Sequence, residues 1–283
     1  MKKSIYSIFL AGSLSAALLL SACGSTASSA APEGSSLSSP ATELISIKVG
    51  ASPAPHAEIL EVVKPLLSEQ GIELEIIEFS DYVVPNTALN EGELDANYFQ
   101  HQPYLNDFND NNGTTLLGAA SIHFEPLGIY PGKIDTLEDL PDGALVGIPN
   151  DATNEARALY LLEAQGLITL ADVGFTATPA NILDNPKNLQ FAELEAAQLP
   201  ASLPDLAIAV INGNYAVEAG LAEHVLATEG SDSVSAQTYA NIVAVRSGDE
   251  ARPEIKALIA ALQSDDVRSF IEEKYAGVVV PVF

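Results

Sequence analysis

The sequence predicts an α/β fold, and three observations carry that prediction. Strand and helix signals alternate from Ile45 onward, a strand at Ala144–Ile148 leads into a strong helix, and Leu206–Ile211 is apolar throughout. Such an apolar run is the kind of strand that a parallel sheet buries on both faces. Hydrophobic residues make up 47 % of the 283 residues, enough for one or two cores.

Taken in order, Ile45–Val49 is a short β-branched run. His56–Gln70 places Ile59, Leu60, Val63, Leu66 and Leu67 at helical spacing, with Pro65 expected to kink the helix, and Ile72–Phe79 returns to alternation. Strand, helix, strand is a βαβ opening. Helix signals follow at Asn86–Gly92 and around Pro103–Asn109, then a strand at Thr115–Ala120. After Ala144–Ile148 the helix Asn154–Gln165 ends at Gly166. Ile242–Val245 is a further strand, and Pro253–Tyr275 is a long amphipathic stretch broken near Ser264. No repeat period indicates a solenoid or propeller.

The formal charge is −26, from 12 Lys plus Arg against 38 Asp plus Glu. Phosphate binding needs a basic face, so nucleic acid is excluded as a partner. A single Cys leaves no intrachain disulfide framework and no multi-Cys zinc site.

The first residues predict export. Met1-Lys2-Lys3 is a basic start, Ile8–Leu20 is a mostly apolar run too short for a typical membrane span, and Leu20-Ser21-Ala22-Cys23 follows. Those last four residues resemble a bacterial lipobox, which implies cleavage of a signal peptide (residues 1–22) and acylation of Cys23. Residues 24–43, GSTASSAAPEGSSLSSPATE, carry too little apolar surface to offset their ordering entropy. Residues 23–43 are therefore expected to form a lipidated flexible tether, holding the folded part at the extracytoplasmic face of a cell membrane without a spanning helix.

An exported, tethered α/β protein suits solute capture between two lobes, with catalysis as the competing class. No G-x-S-x-G, H-E-x-x-H, Walker or G-x-G-x-x-G motif is present, so no enzyme activity and no catalytic residue or cofactor is assigned. Tyr82, Phe99, His101 and Tyr104 crowd into loop-like, strand-ending positions where rigid scaffolds display ligand contacts. An aromatic slot suits a thioether, because sulfur gains from contact with ring edges. At the helix after Pro149, the capping residues Asp151, Thr153 and Asn154 precede Arg157, the only Arg before position 246. Free N–H groups at such a helix start suit a carboxylate, and a guanidinium can grip one with two parallel hydrogen bonds. The competing reading of Arg157 is a surface residue paired with Glu155 or Glu163. Asn212 and Asn241 stand at strand ends, where an amide can bind ammonium or carboxylate without burying another charge. Asn214, between Gly213 and Tyr215, reads as a turn former.

DYVVPN, LDANYFQHQPYL, FEPLGIYPGKI, IPNDATNEARALYLLEAQGLI, NPKNLQFAELEAAQLP and AVINGNYA, in this order after a lipobox, resemble the methionine-binding lipoprotein family, the MetQ/NlpA group. The resemblance runs from about Ile45 to near the C-terminus. It implies a two-lobed, periplasmic-binding-protein-like fold of type II with the ligand cleft between lobes. It further implies delivery of methionine, with L-methionine, D-methionine and a methionine-containing peptide all left open as the ligand, to an ABC transporter permease and its ATPase. Tyr82, Phe99, His101 and Tyr104 would surround the side chain, Asn154 and Arg157 would meet the polar end, and Asn212 and Asn241 would complete the amino and carboxylate contacts. Residues 44–122 plus 236–283 are expected to form lobe 1 and residues 123–235 lobe 2. The segment Pro200–Asp205 lacks an Arg frequent in that family. The alternative is a zinc-type metal-capture lipoprotein using His56, His101 or His123 with Asp and Glu, although no i, i+4 pairing supports it.

Overall fold

The strand–helix–strand opening folds as β1 (Ile45–Ala51), α1 (Glu58–Ser68) and β2 (Ile72–Glu78), with β1 and β2 parallel from Ile45 opposite Ile72 to Ala51 opposite Glu78. The computed structural model of the chain describes residues 44–230 and 237–283; the signal, Cys23, the tether and the expected crossing at Ser235 lie outside them. Helix α1 buries Ile59, Leu60, Val63 and Leu67. It starts two residues later than the spacing suggests, because Pro53–Ala57 forms a separate wide turn in which His56 is buried. Pro65 lies within α1 without ending it. Only the last residues of the helix follow it, so a single backbone bond is lost.

Next come α2 (Val84–Glu91), β3 (Ala96–His101), α3 (Gln102–Asn112) and β4 (Leu116–Phe124). Strand β3 corrects the sequence reading, which treated its residues as loop-like. Every one of its residues is buried, and it pairs with β1 on one side and β12 (Asn241–Arg246) on the other. Its polar residues sit in a buried amide network: Asn97 Nδ2 and Gln100 Nε2 donate to Asn86 Oδ1 at 2.8 and 2.6 Å, and Asn86 Nδ2 donates to Gln100 Oε1 at 2.8 Å. Tertiary pairing thus overrides a composition poor in β-branched residues.

The second half of the α/β pattern gives β5 (Gly128–Pro131), β6 (Leu145–Pro149), α4 (Ala152–Ala164), a small hairpin of β7 (Thr169–Leu170) with β8 (Ile182–Asp184), and β9 (Gln190–Leu194). The short helix α5 (Leu199–Ser202), β10 (Ile208–Ile211), α6 (Gly213–Glu218) and β11 (Ala227–Thr228) follow. Gly166, at φ 70°, takes the left-handed turn after α4. Every residue of β10 is buried, as its apolar run requires. The chain closes with β12, α7 (Pro253–Leu262), α8 (Asp265–Tyr275) and β13 (Val280–Pro281). The break between α7 and α8 falls at Ser264, whose hydroxyl accepts the Val267 N–H and caps α8.

Among the described residues the strands form a six-stranded sheet in the order β13-β4-β12-β3-β1-β2 and a five-stranded sheet in the order β11-β5-β10-β6-β9. The first has its core around Ile47, Val49, Leu60, Tyr98, Val243 and Leu258, and the second around Ile129, Val146, Ile148, Leu159 and Ile208. Each fully buried aliphatic side chain contributes about 1.5–3 kcal/mol relative to exposure. This is the two-lobed periplasmic-binding architecture that the resemblance implied. No helix among the described residues is long and apolar enough to cross a membrane.

Candidate functional site

The carboxyl ends of β3, β6 and β10 converge, and the segments that follow them line a cavity. Ligands in open α/β sheets are commonly held in such crevices. Tyr82, Phe99, His101, Tyr104, Asn154, Arg157, Asn212 and Asn241 all line it. The structure therefore brings together every side chain that the sequence and the resemblance singled out as a candidate for ligand contact.

A β-bulge aims one wall of this cavity. Against β12, Ile242 lies opposite Gln100 and Val243 opposite Tyr98, which leaves Phe99 without a partner. The extra residue breaks the strict alternation of β3, so that Phe99, Gln100 and His101 all reach the cavity. Tyr82 lies 5.8 Å from both Phe99 and Tyr104, ring centre to ring centre, giving an apolar wall of edges and faces. The Tyr104 hydroxyl donates to the Tyr82 carbonyl at 3.1 Å and the Tyr82 hydroxyl to Asn214 Oδ1 at 2.5 Å. Asn214 is thus a buried part of the cavity wall rather than the turn former its neighbours suggested.

His101 is neutral and its tautomer is set. Its Nδ1 accepts the Tyr104 backbone N–H at 3.2 Å, so the proton sits on Nε2, which faces Asn154 Oδ1 at 3.2 Å. Burial, and next the charge of Arg157, push its pKa down to about 3. Asn154 is held in turn: its Nδ2 donates to both Asp151 oxygens at 3.0 Å, and its Oδ1 also accepts Asn212 Nδ2 at 2.9 Å. Of the candidate caps, Asp151 is the one used, accepting the Asn154 N–H at 3.0 Å. The helix start thus supplies its own carboxylate, and one of the amides expected to be free for a ligand is already engaged.

Arg157 is buried, which removes the surface reading, and its partner is neither Glu155 nor Glu163. Nε donates to Glu229 Oε1 at 2.9 Å and Nη2 to Glu229 Oε2 at 2.5 Å, while Nη2 also donates to the Glu125 carbonyl at 2.9 Å. The guanidinium packs 4.3 Å above the Tyr239 ring centre. The two-bond grip proposed for a ligand is thus already made to Glu229, 72 residues away in the chain, through the Nε and Nη2 edge. Glu163 instead accepts the Leu170 N–H at 2.7 Å. Glu155 is buried with Oε1 unpartnered among the described residues, and burial, then Glu193 and Asp151, push its pKa up to about 7.

Glu125 also lines the cavity and escaped the sequence reading. The signal available was an acid set between Phe124 and Leu127 in the FEPLGIYPGKI segment. Its neighbours His56 and His123 form with it a buried group whose candidate ligand atoms lie within 4.8 Å of one another. These atoms are engaged as hydrogen bonds: His123 Nε2 meets Glu125 Oε1 at 2.7 Å, and His56 Nε2 meets Asn241 Oδ1 at 3.0 Å. His101, the third histidine of the metal reading, is turned to Asn154 instead.

The NlpA lipoprotein family model matches residues 47–283, which contain both sheets except Ile45 and Ser46 of β1, and the whole cavity. Methionine-binding lipoprotein MetQ of Bacillus subtilis is 43 % identical over 83 % of this chain and 88 % of that protein. A crystal structure from Ruminococcus gnavus is 50 % identical and superposes with a TM-score of 0.83, covering 84 % of this chain and 99 % of that one. A nutrient-binding protein from Burkholderia cenocepacia, solved bound to methionine, is 43 % identical with a TM-score of 0.80, over 84 % of this chain and all of that one. Identity at this level, sustained across both sheets and the segments that line the cavity, makes the chain a member of the NlpA lipoprotein family.

Proposed function

We propose that the chain is a lipid-anchored, extracytoplasmic solute-binding protein that captures methionine and delivers it to an ABC importer made of a permease and its ATPase. The observation that carries this reading is one cavity with an aromatic wall at Tyr82, Phe99 and Tyr104 and a polar end at Asn154, Arg157, Asn212 and Asn241. The aromatic wall suits a thioether chain, and the neutral His101, its Nε2–H turned to Asn154, adds no charge to it. The Nη1 side of Arg157 takes the ligand carboxylate, while Glu229 holds the opposite edge. The protein is a transport component and not an enzyme. Residues 44–122 plus 236–283 and residues 123–235 serve as the two lobes that close on the ligand. The six-stranded sheet, drawn from Ile45–Phe124 and Asn241–Pro281, and the five-stranded sheet, drawn from Gly128–Thr228, support that division except at His123 and Phe124, which pair within the six-stranded sheet.

Metal capture is not favoured: the relatives point to methionine, and the histidines that would serve it are divided between two hydrogen-bond networks. A ligand that binds only the folded state adds roughly RT ln(1 + [L]/Kd) to stability. L-methionine is therefore expected to raise the melting temperature of ligand-stripped protein; no shift from any of the twenty amino acids would contradict the reading. The anchor is assigned to Cys23, so labelled palmitate is expected to enter the wild-type chain in cells and not Cys23→Ser. Equal incorporation into both would remove the anchor.

A further inference from the structure

Tyr239 precedes β12 and stands behind the cavity wall rather than in it, yet its ring touches two side chains that line the cavity. His101, the last residue of β3, meets it at 5.1 Å between ring centres and 73° between ring planes. The Arg157 guanidinium, on α4, lies 4.3 Å above its centre and 5.6 Å from the centre of the Phe124 ring. Phe124, the last residue of β4, packs against Tyr239 in turn. Strands β3 and β4 belong to the six-stranded sheet, whereas α4 follows directly on β6 of the five-stranded one. One ring, 7 % exposed, therefore joins polar groups of the cavity that come from both halves of the fold.

Two kinds of contact hold Arg157. Glu229 and the Glu125 carbonyl take its Nε and Nη2 edge, and hydrogen bonds along one edge constrain the tilt of the guanidinium plane only weakly. A ring against the flat face removes that tilt, and Tyr239 supplies it. The worth of such a contact depends on the exclusion of water: it corresponds to about a two- to fivefold effect where exposed and about 30-fold where desolvated. Phe175 supplies the cover, its ring 6.1 Å from that of Tyr239 and at 89° to it. It is itself half exposed and sits in the single turn Gly174–Thr176, which packs against α4. Gly174, at φ 65°, gives the chain the left-handed step into that turn. From solvent inward the order is thus Phe175, Tyr239, Arg157.

We propose that Tyr239 is a positioning residue that fixes the plane of Arg157 for the ligand carboxylate and ties it to His101, and that Phe175 is the cover that keeps water from this ring. The inference rests on the reading of the cavity as an amino-acid site with Arg157 at the carboxylate. Without the ring the guanidinium tilts, so the loss falls on ligands that present a charge to Arg157. A loss of packing alone would weaken charged and neutral ligands alike.

The test compares L-methionine with L-methioninamide, in which a neutral amide replaces the carboxylate, by calorimetry on ligand-stripped protein, the weaker ligand being measured by displacement. At about pH 6 both ligands carry a charged amino group. Wild type is expected to prefer methionine by at least about 10-fold. Tyr239→Leu is expected to shrink that preference at least about threefold, and Tyr239→Phe, which keeps the ring, to hold it within about twofold of wild type. Phe175→Ala is expected to speed methionine dissociation about two- to fivefold in stopped-flow measurements. Equal losses for both ligands in Tyr239→Leu would overturn the proposal, as would a loss in Tyr239→Phe as large as in Tyr239→Leu. An unchanged dissociation rate in Phe175→Ala would overturn it even if Tyr239→Leu failed to fold. Wild type that binds no methionine refutes the amino-acid reading itself, whereas a preference for methionine that Tyr239→Leu leaves intact refutes the role of Tyr239 alone.

Discussion

Arg157→Ala is expected to lower methionine affinity by roughly 30-fold to several thousand-fold, the range that corresponds to about 2–5 kcal/mol for truncating one partner of a buried charge pair. The guanidinium is 4 % exposed, so water cannot replace the contact it would make with a carboxylate. The comparison that isolates the effect is Arg246→Ala. Arg246 donates to the carbonyls of Leu89 and Leu94 and pairs with Asp249 at 2.7 Å, all outside the cavity wall. Its loss is expected to cost stability and leave affinity within about twofold, since non-contacting substitutions rarely couple to a distant site. Calorimetric titration of the two variants, each shown to be folded by circular dichroism, checks the contrast. Equal losses of affinity would remove Arg157 from the binding site.

Glu229→Ala is expected to destabilise the fold by about 3–5 kcal/mol, because it strands the Arg157 charge in a buried setting. Two guanidinium nitrogens donate to this carboxylate, and Oε2 also accepts the Leu127 N–H at 2.9 Å. For a folded region of this size each kcal/mol moves the melting temperature by about 2–4 °C, so scanning calorimetry should show a drop of roughly 6–20 °C. Glu229→Gln keeps an acceptor for Leu127 and is expected to lose less. Replacing the pair together, Arg157→Met with Glu229→Leu, should cost less than Glu229→Ala, since no buried charge remains unpaired. A drop of under 2 °C in Glu229→Ala would mean that the pair contributes little and that Arg157 is held by other contacts.

Much of this fold was legible because its strongest signals are local. The β-branched run at Ile45, the helical spacing of Ile59, Leu60, Val63 and Leu67, and the apolar run before Ile211 each name their element from neighbours a few residues away. The strand Ala96–His101 was not legible, since Asn97, Gln100 and His101 look like loop residues until Asn86, β1 and β12 are brought against them. The site divides in the same way. Aromatic crowding around Tyr82, Phe99 and Tyr104 and the Asp151-to-Arg157 helix start are visible along the chain, and all line or border one cavity.

What the chain order hides is pairing at long range. Glu229 lies 72 residues from Arg157, and His56 lies 185 residues from Asn241, so no spacing rule connects either pair. Glu125 was concealed for a different reason. It is one acid among 38 Asp and Glu, and only burial beside two histidines separates it from the solvated rest. The same excess of acids explains why Arg157 stood out early, because cations are scarce in this chain and a buried one must answer to a specific anion.

Calorimetric titration of ligand-stripped protein with L-methionine, set beside the other amino acids and zinc, tests the central claim most directly. Saturable binding of about one methionine per chain, with zinc giving no comparable isotherm, is the predicted result. No heat from methionine together with stoichiometric binding of zinc would contradict it.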